Sequence, residues 1–393
     1  MNGTEQPLKV LHLIKTSVGA TWAWRLTREL VKLGVEVHAA MSPGPRVADY
    51  EEAGVIVHKQ QFDIPMRAPW RWPGLFGALS ALVDKVQPDI IHSHFVGTTL
   101  TMRLALGRRH LVPRVFEVPG PLHLEHRFFR TAELATASRK DYWIATCTRT
   151  RELYLRLGVS SDRVFLSYYG VDLDRYPLDP PQGKLRQELG IGADVKVVGM
   201  VAYIYAPKRY LLQQRGLKGH EDLIDALAIC LQHDENILGV FVGGAWKGAY
   251  AYERRIQAYA RRCCGDKAVF LGTRYDVPEL YADFDVAVHP SHSENIGGAV
   301  ESLLFGIPTI ATDVGGFPDL VRPDETGWLV KPRDPKMLAG MLMAVLADLP
   351  AARAKALQGR ALASDLLDVR KNAREVYAAY RTILDREQQS AHQ

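Results

Sequence analysis

The feature that most constrains this chain is a series of short, almost wholly apolar runs recurring between longer stretches of helical pattern. In the first half they are Leu8-Lys-Val-Leu-His-Leu-Ile14, Val35–Ala40, Gly54–His58, Asp89-Ile-Ile-His-Ser-His94, Pro113–Val118, Tyr142–Thr146 and the run opening at Arg163. In the second half they are Lys196–Val201, Leu238–Val242, Ala268–Gly272, Asp285–His289, Ile307–Ala311 and Gly327–Val330. A strand with one wet face alternates apolar and polar residues; strands as uniformly apolar as these are covered on both faces, as in a parallel sheet flanked by helices. Helical segments at 22–33, 75–86, 219–232, 335–349, 351–367 and 371–388 supply the cover. The alternation stops at the Pro-rich Tyr176-Pro-Leu-Asp-Pro-Pro-Gln-Gly183 and then restarts. Two α/β domains follow, 1–180 and 181–370, with a terminal helix over 371–393 whose tail from Gln388 is expected to fray.

A length of 393 residues with 47% hydrophobic content is enough to bury two such cores. The formal charge is +5, and residues 1–175 hold 23 Lys and Arg against 17 Asp and Glu, the remainder 26 against 27. The basic excess therefore sits in the first half, either as a solvated surface or facing an anionic acceptor or lipid headgroups. No nucleic-acid partner is expected. Four cysteines without a C-x-x-C pair read as free thiols of a reducing cytoplasm. No apolar run approaches 18 residues, so membrane association is expected to be peripheral at most, at the inner face.

The chemistry concentrates in Ser291-His-Ser-Glu294-Asn295-Ile296-Gly297-Gly298-Ala-Val-Glu301, which runs on to Gly306-Ile-Pro308-Thr-Ile-Ala-Thr312 and Gly315-Gly316. A strand stopped by Pro290 gives way to a polar loop with one carboxylate, a Gly-Gly pair, and a helix over 299–305 that carries a second carboxylate and that Gly306 ends. An ionised carboxylate accepts two hydrogen bonds from vicinal hydroxyls, and the N–H groups of a Gly-rich helix start suit phosphate. Were most of the span helical, Glu294 and Glu301 would differ in height by roughly 10 Å, about the separation of the two sugars of a nucleotide-sugar. Taken alone, the pair is equally well two glutamates near an ordinary helix N-terminus, where acids are favoured anyway.

The segment resembles the donor-site signature of the retaining glycosyltransferases of family 4, which is Glu, a Phe-Gly step, a few apolar residues, Glu-Ala, then Gly-x-Pro-x-x-x-Thr-x-x-Gly-Gly. Glu301, Gly306, Pro308, Thr312, Gly315 and Gly316 fall on matching positions. Six residues separate the two glutamates where the family usually has seven, and the missing residue lies in the loop. The resemblance implies the GT-B fold, two Rossmann-like α/β domains facing each other across a cleft, with the last helix crossing back to the first domain. It implies Glu301 on the donor ribose, Glu294 on the hexose, Asn295 and Ile296 in the donor wall, and Gly297 and Gly298 in the phosphate loop. The segment Phe270-Leu-Gly272-Thr-Arg274-Tyr275-Asp276-Val-Pro278 matches the family passage whose backbone cradles the base, which brings in Arg274 and Tyr275.

Relatives usually carry Gly-Arg, a few residues, then Lys-Gly after the first strand of the second domain. Lys218-Gly219 match, but Tyr203 holds the arginine position and an insertion, 204–217, follows it. Charge builds on the leaving diphosphate as the glycosidic bond breaks, so cations are needed there. Lys218 supplies one, and Arg215, Arg209 and Lys208 are candidates for a second, Arg215 being nearest in sequence. In the first domain Gly19 matches the loop after the first strand, as a turn residue or as a donor contact. His94 resembles the histidine of the family's Asp-x-x-His-x-His motif, on the hexose or acceptor; a lone histidine at a strand end is otherwise a satisfied structural residue. Glu117-Val-Pro119 stands where many relatives have a histidine, so His123 is expected to serve the acceptor side instead. His-x-Glu-His at 123–126 is not a metal-ligand spacing. The loop 65–73, rich in Pro and Trp, is either an acceptor surface or aromatic packing.

The resemblance implies a retaining hexosyltransferase that uses a nucleotide-sugar, a UDP-sugar by first expectation. It acts on a sugar, lipid-linked or small-molecule acceptor, without cofactor or metal. Asp172-Leu-Asp174 has the spacing of a metal-binding acidic motif but falls in the interdomain passage. Two other readings of the same fold are a nucleotide-sugar epimerase and a catalytically weak nucleotide-sugar-binding subunit.

Overall fold

The computed structural model describes residues 6–178, 180–208 and 213–391. Their contacts divide the chain into two units, 1–172 with 366–393, and 173–365. The sequence put the junctions at 180/181 and 370/371. The difference at the first arises because the passage after 172 packs on the second unit: Tyr176 lies against Phe305, and the amides of Gly183 and Leu185 donate to Asp283 at 2.7 and 2.8 Å.

Unit 1 holds seven strands: β1 (Lys9–Leu13), β2 (Glu36–Ala40), β3 (Ile56–His58), β4 (Ile90–Ser93), β5 (Arg114–Val118), β6 (Asp141–Ala145) and β7 (Val164–Leu166). They form one parallel sheet in the order β3-β2-β1-β4-β5-β6-β7. Every residue of β4, β5 and β6 is buried, as the unbroken apolar pattern requires. The register sets His12 of β1 beside His92 of β4. Helix Thr21–Lys32 covers one face with Ala23, Leu26 and Leu30, spaced three and four apart. Against it, in the same core, lies helix Val369–Ala391, whose Ala373, Val376, Tyr380 and Ile383 are fully or almost fully buried. Burial of Val376 and Ile383 stabilises unit 1 by roughly 1.5–3 kcal/mol each. This helix runs past Gln388 to Ala391, where the sequence led us to expect fraying.

Unit 2 holds β8 (Lys196–Val201), β9 (Ile237–Val242), β10 (Ala268–Gly272), β11 (Val286–His289), β12 (Thr309–Thr312) and β13 (Trp328–Val330). They pair in parallel in the order β10-β9-β8-β11-β12-β13. The order reverses between β8 and β11, and sheets of this kind bind ligands outside the carboxyl ends of their strands at such a switch point. Helices His220–Cys230, Tyr250–Cys264 and Pro335–Ala347 enclose one core around Leu223, Leu227, Ile256 and Leu342. Tyr250–Cys264 and, in unit 1, Val96–Leu106 and Arg127–Thr136 are helices that the sequence pattern left unassigned. No single helix among the described residues is long and apolar enough to cross a membrane.

Candidate functional site

Three loops at the carboxyl ends of β8, β11 and β12 build the site in unit 2: the end of the inserted passage at 215–219, the loop 290–296, and the turn 313–316. Two glycines allow them to touch. Gly219, at φ +74°, presses on Pro290, whose carbonyl oxygen a β-carbon at 219 would overlap. Gly315, at φ +54°, lies so close to Glu294 that a β-carbon there would overlap that carbonyl oxygen. Both conformations are ones that glycine adopts without strain. Hydrogen bonds fix the contacts, from the His292 amide to the Leu217 carbonyl at 2.8 Å and from the Gly316 amide to the Asn295 carbonyl at 2.9 Å. The Thr312 hydroxyl donates to the Ser291 carbonyl at 2.6 Å.

At the meeting point Glu294 forms an ion pair with Lys218 through Oε2, while Oε1 accepts from the Asn295 amide at 3.1 Å. Both side chains are mostly buried, 13% and 19% exposed, so each charge is screened less than on an open surface. The Tyr205 ring lies 6.0 Å from the lysine nitrogen. Helix Gly297–Leu304 starts directly after the loop, two residues earlier than the sequence pattern indicated. Its N-cap, Ile296, is buried and offers no side-chain cap, so the amides of Gly297 and Gly298 begin the helix without one. Glu301 sits in the second turn, half-buried, on the helix face shared with Gly297 and Gly298. After burial, the charge of Glu301 helps push the Tyr281 hydroxyl far above its ordinary range. Only part of the span from Glu294 to Glu301 is helical, so the 10 Å separation drawn from an all-helical span does not apply.

The segment 270–278 leaves β10 at the same edge. Arg274 is not a free cation: Glu188 holds it at 2.7 and 2.9 Å, and Asp276 at 2.6 Å. Tyr275 is 96% exposed and presents its ring to solvent. Arg215 is likewise committed, bonded to Asp222 at 2.5 Å and to Asp225 at 2.7 Å. Closeness in sequence to Lys218 did not set its direction; the two acids on the buried side of helix His220–Cys230 did. Asp222 also accepts from His292 at 2.6 Å, and His292 and Arg215 together outweigh the effect of burial, holding its carboxyl below the usual range. Asp222 and His292 therefore tie the inserted passage to the Glu294 loop, a link that sequence reasoning missed. Lys208 is exposed, and Arg209 lies outside the described residues. Tyr203, at the position of the missing arginine, is 41% exposed and packs at 4.9 Å on Trp246.

In unit 1 the two candidate histidines are both buried. His94 is fully buried, with Nε2 2.8 Å from His12 Nδ1 and Nδ1 2.9 Å from Glu117 Oε2. Trp22 covers it, stacked in turn on Tyr169 at 4.2 Å. His123 is 9% exposed, bonded through Nε2 to the Tyr154 hydroxyl at 3.1 Å, and burial lowers it to about 4. Gly19, at φ +81°, is a turn residue in an exposed loop ahead of helix Thr21–Lys32. His12, His92 and His94 offer ligand atoms within 4.8 Å of one another. Their rings are tilted by only 17–34°, so the nitrogen lone pairs lie in near-parallel planes instead of converging on one point. Glu117 compensates the cluster: bonds from His92 and His94 outweigh burial and take its carboxyl down to about 2, while burial holds His92 at about 4. The sequence signal for this network was a histidine inside an otherwise apolar β1.

The family model for glycosyl transferases group 1 matches residues 210–360, and that for glycosyltransferase family 4 matches residues 19–175. The chain belongs to the group 1, family 4 glycosyltransferases. This glycosyltransferase is 28% identical to a D-inositol 3-phosphate glycosyltransferase of Xylanimonas cellulosilytica over 82% of each chain. It is 27% identical to the lipopolysaccharide core biosynthesis mannosyltransferase LpsB of Rhizobium meliloti, over 63% of this chain and 67% of that one. Its fold resembles HepE of Anabaena, solved in complex with UDP-glucose, with a TM-score of 0.76, 22% identity, and coverage of 94% and 98%. It also resembles a sucrose-phosphate synthase from Thermosynechococcus elongatus, at 0.77, 23%, and 97% and 100%. The fold is thus GT-B, two Rossmann-like domains, and the protein is a glycosyltransferase enzyme.

Proposed function

We propose that this glycosyltransferase is a retaining, metal-independent hexosyltransferase that moves a hexose from a UDP-sugar to an acceptor hydroxyl in the cytoplasm. The observation that carries the reading is the Lys218–Glu294 pair beside the glycine start of helix Gly297–Leu304. A diphosphate arriving there exchanges partners with the pair. Its oxygens take Lys218 and the amides of Gly297 and Gly298, and Glu294 is released to accept two hydroxyls of the hexose. Glu301 holds the ribose. As the glycosidic bond breaks, the charge growing on the diphosphate is stabilised by Lys218 and the helix N-terminus. The departing phosphate takes the acceptor's proton on the face it leaves, so retention needs no protein nucleophile. Arg215, engaged by two aspartates, is left out of this scheme; Lys218 and the helix supply the positive field.

The choice of uridine and of a hexose is supported by what the relatives are named for: UDP-glucose bound to HepE, and a mannosyltransferase among the proteins of similar sequence. Melting-temperature shifts with UDP-, GDP- and TDP-sugars test the donor, since a ligand at 100 times its Kd stabilises the protein by about 2.7 kcal/mol. Stabilisation by UDP-sugars alone is expected, and equal response to all three would remove the uridine assignment.

A second reading, a nucleotide-sugar-binding subunit with weak turnover, is favoured by Tyr203 standing on Trp246 where relatives carry an arginine. Slow release of UDP from UDP-sugar in the absence of acceptor supports the transferase; tight donor binding with no release at any enzyme concentration supports the subunit.

A further inference from the structure

Unit 1 carries a second concave surface, away from the edge that holds His94. The passage 107–113 ahead of β5 and the turn 137–140 ahead of β6 enclose about 450 Å³ lined by Arg108, Arg109, His110, Leu111, Arg139 and Lys140. They stand at the amino ends of their strands, whereas sheets of this class bind substrates at the carboxyl ends. The pocket is therefore separate from the reacting edge.

Among the described residues no carboxylate lines it; Asp84 is close enough to act on His110, and three other nearby acids are engaged. Asp141 is bound by Arg103, Arg114 and Ser138, Glu133 by Arg103 and Trp143, and Glu387 by Lys140 and Tyr142. Behind the turn 137–140, Arg103 and Arg114 are ion-paired with Asp141 and Glu133, while Arg163 donates to the backbone carbonyl of Asp141, so three guanidinium groups stand among two carboxylates. Arg114 is fully buried, reaches Ser138 at the pocket wall, and has its Nε without a hydrogen-bond partner. At the surface Arg109 and Arg139 make no ion pair among the described residues, and Arg108 donates only to the Ala135 carbonyl oxygen. Planar guanidinium groups of this kind bind phosphate oxygens in pairs. On the lip stands Leu111, 79% exposed. A single exposed leucine is ordinary; one ringed by unpaired guanidinium groups has the composition of a bilayer interface, apolar tip inward and cations at headgroup level.

We propose that this pocket receives the phosphate of an anionic lipid headgroup while Leu111 enters the acyl boundary, so that unit 1 rests on an anionic membrane surface. Co-sedimentation of the full chain with phosphatidylcholine vesicles, with and without 30% phosphatidylglycerol, tests it. Binding is expected only to the anionic vesicles and is expected to weaken as salt rises. The combined Arg108→Ala, Arg109→Ala and Arg139→Ala variant is expected to lose roughly 100-fold in vesicle affinity, and Leu111→Asp roughly tenfold. Both should keep the wild-type melting temperature and affinity for UDP, which separates loss of docking from loss of fold or of the donor site. Equal vesicle binding by the triple variant overturns the proposal. So does a wild type that ignores anionic vesicles while inorganic pyrophosphate stabilises it and not the variant, because the pocket then serves a soluble anion.

Discussion

The carboxyl edges of the two sheets are built on opposite plans. In unit 2, glycines bring three loops into contact and leave a lysine, two glutamates and a helix N-terminus partly accessible. In unit 1, the polar residues at the same edge are turned inward: His12, His92, His94 and Glu117 are buried and bonded to one another, with Tyr380 closing on His92. One edge leaves its charges partly accessible, the other spends them on its own core. Polar groups at a strand end are thus no guide to binding until their partners are known.

The largest effect that contrast predicts is at Lys218. Lys218→Met removes the cation and leaves Glu294 unpaired, and kcat should fall about 10²–10³-fold in a UDP-sugar transfer or hydrolysis assay. A loss below tenfold would place the cation elsewhere. Next is Gly315→Ala, which forces the turn off the Glu294 carbonyl; a shift of about 1 Å at the reacting groups should cost about 100-fold in kcat/KM. Glu301→Ala removes a charge-assisted bond of roughly 1.5–3 kcal/mol and should raise donor KM about 10–150-fold with little change in kcat. Unchanged donor affinity would count against the ribose role.

Acid should act mainly on unit 1. His92 and His123 are held near 4 by burial, and His12 lies well below its ordinary value, against about 6.5 in the unfolded chain. The native state keeps them neutral while the unfolded state takes up protons, so their contribution is whole above pH 6.5 and is lost as pH falls through 4. The slope is about 1.4 kcal/mol per pH unit for each histidine. Unit 2 has two such groups, His220 near 4 and His289 near 3. Hydrogen exchange at pH 5 should therefore show β1 and β4 opening before β8 and β11; the reverse order would contradict the contrast. The smallest effect is expected at Arg215→Ala, where kcat should change less than about threefold, because its charge is already spent on Asp222 and Asp225.

The loop contacts at the carboxyl edge of unit 2 were legible because their requirements are local. A glycine must stand where φ is positive or a β-carbon would collide, and the carboxylates must hold register with the helix that begins at Gly297. The strands were legible for a similar reason, since burial on both faces leaves no polar alternation. What stayed hidden depended on distant packing. The burial of His94 is set by Trp22 and Tyr169, and the direction of Arg215 by acids on a helix that follows it. The partner of His123, expected on the acceptor side, is Tyr154, thirty-one residues on.

Helix Val369–Ala391 adds a matter of timing. Its Val376, Tyr380 and Ile383 complete the core of unit 1, yet a ribosome reaches them only after the whole of unit 2. During synthesis the first-made half must wait with an apolar flank exposed while the second-made half is free to finish folding. A stop codon near residue 370 would therefore injure the beginning of the protein more than its end.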